Sequence, residues 1–74
     1  MNKTFKIGEC ALGGIIRVQT TKHHIKIETI DYYEKNVILT GYWGRHDKYG
    51  LNNYLNELTT SYYADMITNY IFKN

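Results

Sequence analysis

LNNYLNELTTSYYADMITNYIF, residues 51–72, decides the fold, because no other stretch is long and periodic enough to be helix. Leu51, Tyr54, Leu55, Leu58 and Tyr62 repeat at i, i+3, i+4 and i+7, which sets them on one helical stripe. Tyr62, Tyr63, Met66, Ile67 and Tyr70 form a second stripe with the same spacing. At 100° per residue the two stripes are offset by about a quarter turn. The offset falls on Thr59-Thr60-Ser61, residues that compete for backbone hydrogen bonds and favour caps over helix interiors. The spacing therefore predicts one bent helix or two abutting helices joined near Thr59–Ser61. Gly50 breaks what precedes, and Asn52 or Asn53 is the expected N-cap.

Ahead of this stretch the periodicity is that of strands. Thr4 to Cys10 alternates, with Phe5, Ile7 and Glu9 on one side. Gly13-Gly14 marks a turn or bulge. Ile15–Thr20 is β-branched and reads as a second strand, and Ile25–Asp31 as a third, with Ile25, Ile27 and Thr29 inward. Tyr32–Asn36 has the length of a hairpin turn. Val37–Trp43 is the fourth strand, and Gly44–Gly50 a charged loop. The expected architecture is α+β: an antiparallel β-meander of three to four strands, then a C-terminal helix packed on one face. Such a two-layer arrangement buries both apolar surfaces.

Seventy-four residues make one domain, 1–74. At this size only about 60 % of the unfolded chain's surface is buried. Eight Tyr, one Trp and two Phe are many rings for so short a chain. Each can bury about 150–250 Å², so they are expected to supply much of the core and still leave a surplus outside. The surplus is expected among Tyr32, Tyr33, Tyr42, Trp43, Tyr49 and Tyr63. One cysteine, Cys10, excludes an internal disulfide and fits a reducing cytoplasm. No stretch approaches the roughly 20 apolar residues that span a membrane. The opening residues lead into an alternating segment rather than a signal-peptide core. The missing Pro, with abundant Asn, Lys, Ile and Tyr, points to an AT-rich genome, such as a low-GC bacterium or its mobile elements.

The formal net charge is +2, unevenly spread. Residues 1–50 carry eight Lys/Arg against five acids, and residues 51–74 carry one Lys against two. The sheet half is basic.

Chemistry is hard to find. Cys10, His23, His24 and His46 match no closed zinc spacing, and adjacent histidines on a strand end point to opposite faces. They read as exposed loop histidines, and Cys10 as a small buried hydrophobe rather than a nucleophile. The seven carboxylates form no paired motif, and the glycine pairs lack the strand-then-helix setting of a phosphate loop. The chain is read as a non-enzyme without metal or cofactor.

Two groupings remain. Lys22, Lys26, Lys35, Arg45 and Lys48, near aromatic residues on a sheet, suit nucleic acid, since strands can enter the major groove and rings can stack on bases. A net charge of +2 is low for such a role. Tyr42-Trp43-Gly44-Arg45-His46-Asp47-Lys48-Tyr49 gathers Tyr, Trp and Arg, the three residue types that dominate protein–protein hot spots. With Tyr32 and Tyr33 these give a candidate partner-binding set: Tyr32, Tyr33, Tyr42, Trp43, Arg45 and Tyr49.

Asn2-Lys3-Thr4-Phe5-Lys6-Ile7-Gly8 is similar to the start of a type II-C anti-CRISPR protein, a phage-encoded inhibitor of Cas9 nucleases. The resemblance covers these seven residues and carries over no inhibitory contact. The chain also has the general look of anti-defence proteins: very small, cysteine-poor, motif-free, β then α. The resemblance implies a cytoplasmic inhibitor that binds a host protein, such as a CRISPR-Cas effector, stoichiometrically. The alternatives are a nucleic-acid-binding regulator and a self-assembling protein. A homodimer would bury apolar surface on the free sheet face or on the Ile67/Ile71 side of the helix.

Overall fold

The computed structural model describes residues 2–8 and 14–73. Four strands, β1 (Asn2–Lys6), β2 (Ile15–Thr20), β3 (His24–Ile30) and β4 (Val37–Gly44), form one antiparallel sheet in the order β1-β2-β3-β4. Two helices follow, α1 (Lys48–Leu58) and α2 (Ser61–Phe72). The α+β meander expected from the periodicity is the fold, with the helical stretch split where Thr59-Thr60-Ser61 placed the break. Thr60 is the N-cap of α2, its hydroxyl accepting from the Tyr63 N–H.

Register explains which face is buried. Phe5 pairs with Ile16, Val18 with Ile27, Thr20 with Ile25, and Ile25 with Trp43. Residues directly opposite share a face. Ile16, Val18, Ile25 and Ile27 therefore make one apolar surface, which joins Leu51, Leu55, Leu58, Ala64, Ile67 and Ile71 in a single cluster. Burying each Val, Leu or Ile contributes about 1.5–3 kcal/mol. The opposite face carries Thr4, Arg17, Glu28 and Thr40 in one row and Asn2, Gln19, Lys26 and Tyr42 in the next. It is polar.

Several details depart from the sequence reading. β1 starts at Asn2 and ends at Lys6; the expected continuation through Glu9 and Cys10, and Gly13 of the glycine pair, lie outside the described residues. α1 begins before Gly50, and its cap is Asp47 rather than Asn52 or Asn53. Asp47 Oδ1 accepts from the Gly50 N–H at 3.0 Å. A Cβ at Gly50 would lie 2.6 Å from Asp47 Oδ2, so this glycine makes room for the cap instead of ending an element.

The core is aliphatic, against the expectation that rings would fill it. The largest fully buried side chains are Ile, Leu, Val and Thr, while Phe5, Trp43, Tyr54, Tyr63, Tyr70 and Phe72 pack around the margin. The buried stripe of α2 is Ala64, Ile67, Thr68 and Ile71; Tyr62 and Met66, assigned to the core stripe, are exposed. Ala and Thr give no hydropathy signal beside Tyr and Met, yet they fit where a helix lies close to its neighbours. Ile67 and Ile71 are thus in the core, and the self-association expected through them has no surface there.

Asn52 ties the helices together. Its Nδ2 donates to Asp65 Oδ1 at 3.1 Å and Thr68 Oγ1 at 3.0 Å. Asn56 donates to Asn52, and Ser61 to Asn56. No helix of the described residues is long and apolar enough to cross a membrane.

Candidate functional site

The tight hairpin between β2 and β3 and the connection between β4 and α1 lie at the same end of the sheet, because His24 pairs with Gly44. Thr21 organises the hairpin. Its hydroxyl accepts from the His23 and His24 N–H groups at 3.3 and 3.2 Å, and its own N–H donates to the His24 carbonyl. Arg45 then fastens the two segments, Nη1 donating to the Thr21 carbonyl at 2.8 Å. An open depression of about 580 Å³ results, lined by Lys22, His23, Gly44, Arg45, His46 and Asp47.

Two surfaces adjoin it. On the polar sheet face Tyr42 stands edge-on to His24, ring centroids 5.7 Å apart. On the helical side Lys48 and Tyr49 border a groove of about 370 Å³ with Asn52, Asp65, Thr68 and Asn69. Lys22, Arg45 and Lys48 bring three cations to this end, beside His23, His24 and His46. Asp47 is the acid of this segment, and it is engaged as the cap of α1.

The six residues of the expected partner set do not form one patch. Tyr42, Arg45 and Tyr49 surround the Thr21–Asp47 end. Trp43 turns to the helical side, half-buried against Tyr54 with centroids 4.5 Å apart. Tyr32 and Tyr33 lie at the other end, in the turn between β3 and β4, with rings 5.5 Å apart. The rings outside are well exposed: Tyr33 at 69 %, Tyr42 at 61 %, Tyr49 at 79 % and Tyr62 at 72 %.

The five cations of the nucleic-acid set are divided as well. Lys22 and Arg45 line one depression, and Lys48 borders the groove on the helical side. Lys26 lies on the polar face 3.7 Å from Glu28 Oε2, beside the 2.7 Å pair of Arg17 Nε with Glu28 Oε1. The Arg17 hydrogen bond, aided by the charges of Arg17 and Lys26 and opposed by partial burial, holds the Glu28 carboxyl below its usual range. The same hydrogen bond, with the Glu28 charge, raises Arg17. Lys35 is at the far turn, with Nζ donating to the Tyr32 carbonyl and standing 5.1 Å from the Tyr32 ring.

The sequence reading passed over Val37, Ile38 and Leu39, all exposed on edge strand β4. An unalternating apolar run ordinarily signals a strand buried on both faces. Nothing in such a run reveals that the strand will be last in its sheet.

Among the described residues no three His, Cys, Asp or Glu side chains gather as metal ligands would. Comparison of the chain with protein-family profiles, curated proteins and solved structures finds no match. The fold and this end of the sheet define it as a four-stranded antiparallel α+β protein with an exposed basic and aromatic corner.

Proposed function

We propose that the chain acts by stoichiometric contact with another protein, docking through the corner of Lys22, Tyr42, Arg45, Lys48 and Tyr49. The observation that carries this reading is the division of labour between side chains. Aliphatic residues close the core, so the exposed tyrosines are not needed to fold the chain. Exposed Tyr beside an Arg already held by the Thr21 carbonyl supplies contact area at low ordering cost. The partner surface that complements such a corner is acidic. The likeness of Asn2–Gly8 to a type II-C anti-CRISPR makes a Cas9 nuclease the first target to test, and a host defence protein the general class. The test is co-elution with purified type II-C Cas9, and with lysate of a low-GC bacterium. Capture of a protein at one-to-one stoichiometry supports the reading; recovery of nucleic acid with no protein overturns it.

Lys22 and Arg45, which line one depression with His23 and His46, and Lys48 on the adjoining groove favour a second reading, in which the corner binds a nucleic-acid backbone. Titration with duplex and single-stranded DNA at two salt concentrations separates the two. Affinity whose logarithm falls steeply with that of the salt concentration supports the second reading.

A further inference from the structure

The two edges of the sheet are built differently. β1 is five residues long and carries Lys3 and Lys6, which discourage another strand from pairing there. β4 is eight residues long, Val37-Ile38-Leu39-Thr40-Gly41-Tyr42-Trp43-Gly44, with no charge and no proline. Val37, Ile38 and Leu39 are 46, 49 and 42 % exposed. They stand on both sides of the sheet. Val37 pairs with Ile30 and so lies on the polar face, Leu39 pairs with Thr29 on the helical side, and Ile38 is the extra residue of a bulge between them.

We propose that β4 pairs antiparallel with β4 of a second copy, giving a two-fold dimer with a continuous eight-stranded sheet. In such a pair the axis is perpendicular to the sheet, both helical layers lie on the same side, and opposed residues share a face. Two registers meet this condition near the middle of the strand. With the axis at Gly41, Leu39 of each copy faces Trp43 of the other and Thr40 faces Tyr42. With the axis at Thr40, Leu39 faces Gly41 and Ile38 faces Tyr42. Neither opposes two charges, whereas a β1–β1 contact would bring lysines together. The outward N–H and C=O groups of β4 gain partners, and the exposed apolar side chains are covered from the neighbouring copy. Specific interfaces clear about 1,000 Å² in total, and a contact confined to one pair of eight-residue strands falls at the weak, non-obligate end. Antiparallel pairing leaves the Lys22–Tyr49 corners at opposite ends of the joined strands, and Tyr42 is shared between the corner and the seam.

Sedimentation or light scattering at about 100 µM, high enough to populate a dimer of micromolar Kd, tests this. The expected mass is twice the 8.7 kDa of the chain. Thr40 stands near the axis in both registers, so Thr40→Lys and Thr40→Glu place like charges together, within about 8 Å. Each variant alone should run as a monomer with the circular dichroism of the wild type, and an equimolar mixture should regain the dimer mass. A wild-type mass of one chain overturns the proposal. So does a Thr40→Lys variant that stays dimeric, or a mass that climbs without limit with concentration, which would mean β1–β4 chaining.

Discussion

The indole of Trp43 lies across Gly41, two residues back on the same face of β4. A Cβ built on Gly41 would stand 2.3 Å from Trp43 Cη2 and 2.8 Å from Cζ3. The missing side chain is the seat of the ring. The indole also packs against Tyr54 of α1, so this pair joins the edge strand to the helical layer. Gly41→Ala should displace the ring and cost about 1–3 kcal/mol, as overpacking does. Urea unfolding checks the loss, and a changed Trp43 fluorescence maximum in the native state checks its cause.

Thr29 is fully buried between Ile16 and Leu39 in the sheet, and its Oγ1 finds no hydrogen-bond partner among the described residues. A buried hydroxyl without a partner costs about 1–3 kcal/mol, and valine replaces it at nearly the same shape. Thr29→Val should therefore stabilise the chain by about 1 kcal/mol, raising Tm by roughly 4–8 °C for a domain of this size. Differential scanning calorimetry checks it, and an unchanged or lowered Tm refutes it.

Asp47 caps α1 through the Gly50 N–H. Asp47→Ala should cost about 1 kcal/mol in denaturant unfolding, while Asp47→Asn or Asp47→Ser retains most of it. The same substitution removes the acid from the basic corner. An acidic partner should then bind at least as well as before despite the lower stability, and separate measurements of Tm and affinity distinguish the two effects.

Glu28 gives the chain a pH dependence whose sign is fixed. Its carboxyl titrates lower when folded than when unfolded, chiefly through the Arg17 hydrogen bond. The stabilisation is complete above the ordinary glutamate range and is lost as the pH falls through that range to the folded value. Arg17, raised, stays charged throughout this window. The stability gap between wild type and Glu28→Gln should be modest at pH 7, shrink as the pH falls below the ordinary glutamate range, and narrow with added salt. A gap that widens toward acid would contradict the assignment.

Tyr42→Ala and Tyr49→Ala should each weaken partner binding by about 2 kcal/mol if the corner is the docking site. Both side chains are exposed, so stability should shift by no more than about 0.5 kcal/mol. Tyr62→Ala, exposed on α2 and away from the corner, is the control and should leave affinity unchanged. Calorimetric titration against a captured partner supplies the comparison.

The sequence by itself determined the element order, the meander, the break at Thr59-Thr60-Ser61 and the inward set Ile25, Ile27 and Thr29. These are written locally: strand alternation and helical spacing need only neighbouring residues, and Thr60 caps α2 within its own turn. Tertiary structure alone decided which residues of α2 are inside. Tyr62 and Met66 matched a helical stripe as well as Ala64 and Thr68 did, and only the closeness of α2 to its neighbours selected the smaller pair. The same holds for the candidate site. Lys22 and Arg45 are 23 positions apart in the chain, and they meet because the pairing of His24 with Gly44 brings two turns to one end of the sheet. Whether Val37-Ile38-Leu39 would be covered or left bare depended on strand order, a property of the assembled sheet that no single strand encodes.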